Sequence, residues 1–248
     1  MTRTQAYALA AVRTSGVILG DDSEPSFSVI VPVYQAADAI RDALTSVFTQ
    51  SLLPREVIVC DYGSTDDIDG ALAPFSDLIA LLRKPGGGEA AAKNVAARAA
   101  SGGFVLFLDA RDVFLPGRLE ALCDLSCALP DLDILTTDAW LVAANRHVRR
   151  CYTDAWPFEW ADQRREILRR NFIGAAAVRR ERLLAAGGFD ESLRRTADWD
   201  LWIRLLRDGA RAGAVLEPLA RYRVPGSAPW AEGLAVSAAS ATALQRGH

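Results

Sequence analysis

The chain has 248 residues, enough for one large α/β domain or two small ones. Half of them are hydrophobic and 24% are charged, which gives a globular chain with a substantial core and excludes a bare peptide binder. With 31 acidic residues against 28 basic ones the net charge is −3, which excludes a polybasic or histone-like role on nucleic acid or an anionic membrane. Lys84 and Lys93 are the only lysines, so the basic residues are almost all arginine. Cys60, Cys123, Cys127 and Cys151 show neither paired zinc-site spacing nor the density of a disulfide scaffold, and read as buried thiols. No apolar run approaches the ~20 residues that cross a bilayer. Residues 1–25 read as an N-terminal arm of a cytoplasmic protein, the apolar stretch over 6–12 being short for a signal peptide.

From Phe27 the pattern becomes regular. FSVIVPVY (27–34) is a β-branched run suited to a strand buried on both faces, expected to end near Pro32 because proline cannot donate to a ladder. Ile40, Leu44, Val47 and Phe48 at helical spacing predict a helix over 38–50. EVIVC (56–60) predicts a second strand, 72–75 a short segment and LIALL (78–82) a third strand. The glycines at 86–88 precede an alanine-rich helix over 89–100, and FVLFLD (104–109) predicts a fourth strand. Strands alternating with helices imply βαβ crossovers and a parallel sheet, with ligands beyond the carboxyl ends of its strands. Asp61, Asp66, Asp67, Asp109 and Asp112 all fall at or just after such ends. Further on, 119–129, 164–171, 178–186 and 199–208 predict helices, while 134–142 and 214–224 predict extended segments.

Four blocks carry a resemblance: VIVPVY at 29–34, VIVCDYGSTDD at 57–67, GGGEAAAKNVAARAASGGFVLFLDARD at 86–112 and GGFDESLRRTADWDLWIRLLRDG at 187–209. In order and spacing they resemble the family 2 glycosyltransferases, inverting nucleotide-sugar-dependent enzymes of the GT-A fold. The resemblance covers residues 26–227. It implies an α/β fold with a mainly parallel sheet flanked by helices, a donor half over 26–112 and an acceptor half over 113–227. Residues 228–248 remain as a tail or terminal helix.

The same resemblance implies transfer of a sugar from a nucleotide diphosphate to a hydroxyl on a glycan, lipid or small molecule. Asp61 would accept the imide N–H of a pyrimidine base or sit near the ribose, over a floor made by Pro32 and Tyr34. Lys93 and Asn94 stand where the family shows an Arg-Asn pair that meets the donor. Asp198 matches the base that takes the proton from the attacking hydroxyl. On the residues alone, Asp198 reads as a helix N-cap.

The family usually holds Mg²⁺ or Mn²⁺ with an aspartate, a spacer and a second aspartate. Here the segment is Asp109, Ala110, Arg111, Asp112, and Tyr222-Arg223 is followed by Val224-Pro225 where the family often has a histidine. Three readings follow. Arg111 replaces the metal at the diphosphate, since guanidinium pairs bidentately with phosphate; Asp109 and Asp112 bind the cation through water with Arg111 turned away; or the chain is a non-catalytic binding or scaffold relative.

Trp199 and Trp202 share a helical face, either as core or as a sugar-stacking surface on the acceptor side. Trp156, Phe158 and Trp160 form a second aromatic group in the segment expected to line that side. The pairs Arg149/Arg150, Arg164/Arg165, Arg169/Arg170 and Arg179/Arg180 read as solvated faces, with an anionic partner as the alternative. Arg194 and Arg195 are candidates for the donor diphosphate.

Overall fold

The structure, a computed structural model, describes residues 25–143, 146–193 and 196–223. The N-terminal arm before residue 25, Arg194 and Arg195, Val224-Pro225 and the C-terminal tail lie outside the described residues. The elements run β1 (Phe27–Val33), α1 (Ile40–Phe48), β2 (Glu56–Asp61), α2 (Ile68–Leu72), a 3₁₀ turn (Ala73–Phe75), β3 (Ala80–Arg83), α3 (Gly88–Ala99) and β4 (Phe104–Phe107). They continue with β5 (Val113–Phe114), α4 (Arg118–Ala128), β6 (Ile134–Ala143), β7 (Arg146–Arg150), α5 (Gln163–Glu166), β8 (Ala177–Arg179), α6 (Arg180–Ala185), α7 (Ala197–Arg207) and β9 (Ala212–Arg223).

One sheet runs in the order β3-β2-β1-β4-β8-β6-β9-β5, with β7 paired to β6. Its first four strands are all parallel, as the βαβ rhythm predicts, and β6 and β9 pair in parallel as well. The connecting strands β8, β5 and β7 join antiparallel. One face packs on α3, α6 and α7 through Ile30, Val105, Leu183 and Leu205, the other on α1, α2 and α4 through Val29, Val31, Leu44 and Leu122. This two-faced burial is why β1 and β2 read as continuous apolar runs. No helix among the described residues is long and apolar enough to cross a membrane.

Pro32 does not end its strand: β1 continues to Val33, with Pro32 opposite Cys60. Along β1 the odd residues bond to β2, as in Tyr62 N–H to Val33 O, and the even ones to β4, as in Leu108 N–H to Ile30 O. Pro32 therefore faces the β4 side at a point where that ladder has ended, so its missing N–H costs nothing. The helix expected over 178–186 begins only at Arg180, because Val178 is buried in β8 between β4 and β6. The helix expected over 164–171 is one turn, α5, which then tightens to i→i−3 bonds at Leu168 and Arg169. Of the thiols, Cys60 and Cys151 are buried, while Cys127 is exposed.

Neither reading of the arginine pairs describes most of them. Arg150 meets the buried Asp138 at 2.5 Å, Arg164 donates to Leu206 O, and Arg170 to Pro157 O. Arg179 donates to Pro130 O and Leu132 O, and Arg180 to Ala97 O and Arg98 O. These guanidinium groups bind carboxylates and loop or helix-end carbonyls, while Arg165 and Arg169 are exposed, Arg169 at 3.8 Å from Glu166, and Arg149 is half-buried.

Candidate active site

A crevice of about 660 Å³ opens beyond the carboxyl ends of β1 and β2. Tyr34 and Tyr62, the residues that follow those strands, form one wall as a stacked pair with ring centroids 5.3 Å apart. Burial raises the Tyr62 phenol to about 12, with the charges of Glu89 and Asp109 adding to the effect. The floor is the start of α3, where Gly86, Gly87 and Gly88 all have left-handed φ. No side chain caps that helix, so its first backbone N–H groups lack both intrahelical and side-chain partners. The opposite wall, Glu191, Leu193, Ala197 and Asp198, comes from the second half of the chain.

Asp198 is not the N-cap that its position alone suggests; Thr196 holds that place, and Asp198 sits in the first turn of α7. Its Oδ1 accepts from Lys93 Nζ at 2.9 Å, with the carboxylate side chain 53% exposed in the crevice. Lys93 also bonds Glu89 Oε1 at 2.8 Å, and its Nζ lies 5.0 Å and 5.6 Å from the ring centroids of Phe189 and Phe107. Burial disfavours the ammonium, but Asp198 and Glu89 outweigh that cost and raise the pKa above the ordinary lysine value. Lys93 thus holds Asp198 in place across 105 residues of sequence.

Asn94, expected beside Lys93 at the donor, faces away from the crevice. Its amide brackets the backbone of Phe189, donating to the carbonyl at 2.9 Å and accepting from the N–H at 2.8 Å, and reaches Glu191. The bracket leaves no room at Gly188, where φ is +76° and a Cβ would stand 2.3 Å from Asn94 Oδ1. Asn94 fixes the loop that carries Glu191 into the crevice.

Asp61 is buried, and both carboxylate oxygens are engaged. Oδ1 accepts from Gly63 and Ser64 N–H, and Oδ2 from Arg83 at 2.8 Å. Burial opposes its charge, yet these hydrogen bonds and the Arg83 guanidinium hold the pKa below the usual carboxylate range. Asp61 and the buried Pro32 shape the turn from within, while Tyr34 and Tyr62 form the exposed surface. Tyr62 was not singled out from sequence, although it lies inside DYGSTDD.

The three residues expected at the diphosphate diverge. Asp109 accepts the Arg111 N–H at 2.9 Å, and Asp112 accepts the Arg223 N–H at 2.7 Å. Burial and the nearby Asp109 push the Asp112 carboxyl up to about 8. The Arg111 guanidinium turns from the crevice to Asp38 Oδ2 at 3.1 Å and Gln35 O at 2.6 Å, and the Arg111 hydrogen bond holds the Asp38 pKa below its usual value. Gln35 has φ +50°, the left-handed conformation, and is further tied to Ser64 and Thr65. Arg111 is thus not placed at the diphosphate as a substitute for the metal, and its turning away is the arrangement in which Asp109 and Asp112 would hold a cation through water. Each uses only Oδ1 in these bonds, but no group of three or more His, Cys, Asp or Glu side chains that could hold a metal is found among the described residues.

Trp199 and Trp202 are core residues, each 2% exposed, so neither offers a face to a sugar. Trp199 donates its indole N–H to Ile167 O at 2.6 Å. Phe158 is likewise buried, edge-to-face with Tyr152, Trp160 and Phe172.

A mainly parallel sheet with a crevice beyond its carboxyl ends, faced by a carboxylate from the chain's second half, is the architecture of the GT-A class of glycosyltransferase fold. The structure of Staphylococcus aureus TarS 1–349 in complex with UDP-GlcNAc superposes with a TM-score of 0.68 at 22% identity, covering 89% of this chain and 64% of that one. A mannosyltransferase, PcManGT from Pyrobaculum calidifontis, in complex with GDP-Man and Mn²⁺, gives 0.61 at 24% identity, covering 90% and 65%. Residues 28–187, well over half the chain, match the glycosyl transferase family 2 model, and the chain belongs to that family. An uncharacterized glycosyltransferase of Rickettsia prowazekii is 28% identical over 188 residues, 74% of this chain and 59% of that protein. The chain therefore spans about three fifths of the length of that relative.

Proposed function

We propose that the chain is an inverting glycosyltransferase that moves a sugar from a nucleotide diphosphate to a hydroxyl acceptor without a divalent cation. The observation that carries this reading is Asp198, a half-exposed carboxylate fixed by a buried ammonium at the rim of the crevice. Inverting transfer needs a base on the face opposite the leaving group, held within reach of the acceptor hydroxyl. Asp198 fills that role. Its free oxygen takes the proton as the hydroxyl attacks, and Lys93 fixes its orientation.

The donor lies against the half up to Asp112, its base against Tyr34 and Tyr62, with Asp61 shaping that wall from below. Its diphosphate meets the uncapped start of α3, whose backbone N–H groups stabilise charge on the leaving group. The acceptor enters from the second half, past Glu191 and Leu193. The UDP-GlcNAc and GDP-Man complexes named above support a nucleotide-sugar donor without choosing the base.

The test is calorimetric titration of UDP, dTDP and GDP, each with Mn²⁺ and with EDTA, on the wild type and Asp198→Asn. Nucleotide binding that survives EDTA, with Asp198→Asn lowering turnover about 10³-fold at unchanged nucleotide affinity, is the expected result. Binding only with Mn²⁺ overturns the cation-free reading, and full activity of the variant overturns the base assignment. No binding under either condition favours a non-catalytic relative.

A further inference from the structure

A second cavity, of about 500 Å³, is lined by Arg111 and Val113 at the Asp109–Asp112 turn and shares no lining residue with the crevice. Sheet register builds it. Arg221 pairs with Val113 on β5 and Trp140 on β6, Arg223 with Val142 on β6, and Val142 with His147 on β7. Side chains at paired and alternate positions share a face, so Arg221, Arg223 and His147 rise from one floor, while Ala220 and Tyr222 point the other way into the core. Arg111 closes one side from the turn and Asp42 another from α1.

The charges are not spent on one another. Arg223 reaches Asp42 only at 3.7 Å, Arg111 meets Asp38 at 3.1 Å, and those aspartates are 69% and 71% exposed, so both pairs are weak and exchangeable. No ion pair to Arg221 is found among the described residues. The His147 ring is held flat against Trp140, centroids 4.8 Å apart and 7° from parallel. Three guanidinium groups and an oriented imidazole around one cleft suit a multiply charged oxyanion, and guanidinium forks match phosphate oxygens in particular.

We propose that this cleft binds a phosphate ester or diphosphate carried by the acceptor, so that the acceptor's anionic part docks at the Asp109–Asp112 turn while its hydroxyl reaches Asp198. The acceptor assignment rests on the transferase reading above; the anion site itself does not.

His147 and His248 are the only histidines, so imidazole NMR reports the cleft directly. Inorganic pyrophosphate is titrated into the full chain saturated with whichever nucleoside diphosphate binds the crevice. The expected result is a saturable shift of the His147 resonances, assigned with His147→Asn, and an affinity about tenfold lower in Arg221→Gln and in Arg223→Gln at unchanged nucleotide affinity. No shift of His147, or equal affinity in folded Arg221→Gln and Arg223→Gln, overturns the proposal. Phenyl phosphate and phosphatidylglycerol vesicles then separate the sources. Arg221-dependent binding of the vesicles identifies a lipid headgroup, and of phenyl phosphate alone a soluble ester. If pyrophosphate moves His147 while no nucleotide binds anywhere, the anion site stands and the transferase reading fails.

Discussion

Replacing Lys93 with methionine separates the two things this residue does. Its ammonium donates two charged hydrogen bonds, to Glu89 at 2.8 Å and Asp198 at 2.9 Å, and packs against two aromatic rings. At ~1.5–3 kcal/mol each, the hydrogen bonds contribute about 3–6 kcal/mol, and the rings ~1 kcal/mol more. Desolvating the ammonium costs several kcal/mol in the opposite direction. Methionine fills the same slot between Phe107 and Phe189, and the partner carboxylates, 44% and 53% exposed, rehydrate without leaving a buried orphan charge. The net change in stability is then within about 1 kcal/mol, a melting shift of roughly 2–4 °C at most for a domain this size. Because the Lys93 pKa is raised on folding, its contribution is fully present below the unfolded lysine value and is lost only as pH rises through the folded one, so neutral assays see the whole effect. Turnover should fall about 10²-fold, because Asp198 loses the contact that orients it. Nucleotide release monitored by chromatography gives the rate, calorimetry the nucleotide affinity and circular dichroism the melting point. Wild-type turnover in Lys93→Met, or an affinity loss as large as the turnover loss, refutes the view that Lys93 acts through Asp198.

The two tryptophans should respond differently to phenylalanine. Trp199→Phe breaks the bond to Ile167 O, whereas the buried Trp202 indole N–H has no hydrogen-bond partner among the described residues, so Trp199→Phe should cost about 1–2 kcal/mol more in denaturant unfolding. Equal costs would contradict that distinction. Asp112→Asn should change the pH profile of stability. With the folded pKa raised to about 8, the native state binds the extra proton between pH 4 and 8, so the wild type loses stability as pH rises through that window. Asp112→Asn should lack this slope, and urea titrations at pH 5 and pH 8 check it; parallel profiles would show that Asp112 does not titrate there.

Much of the frame is legible in the chain because burial on both faces imposes an unmistakable pattern, as in VIVPV and VIVC. The failures occur where tertiary contacts override local preference. Val178 sits in a helix-compatible sequence, yet β4 and β6 flank it and make it strand. The Trp199/Trp202 spacing gives a helix face correctly but not which side of the helix is solvent. Asp198 was legible through its motif, whereas its partner Lys93 lies 105 residues away, and no local pattern reports such a pair. Asn94 and Arg111 were identified by position in their motifs; their hydrogen bonds to Phe189, Gln35 and Asp38 depend on loop paths that sequence spacing does not encode. The basic cleft was invisible for the same reason, since Arg111, His147, Arg221 and Arg223 meet only through sheet register.

Arginine dominates the basic residues of this protein, and many of its guanidinium groups end on backbone carbonyls as well as on carboxylates. Arg204, bonded to the carbonyls of Ala186 and Gly188 and to Asp200 at 2.8 Å, is one more such strut, and Arg118, wholly buried, reaches Ala175 O from the interior. A contact between a cation and a neutral carbonyl is short-ranged and hydrogen-bonded, so mobile ions screen it far less than they screen two opposite charges. These carbonyl contacts therefore persist at ionic strengths that weaken the exposed arginine–carboxylate pairs beside them. Salt acts most on the place where positive charge remains available to a ligand, the basic cleft around Arg221 and Arg223.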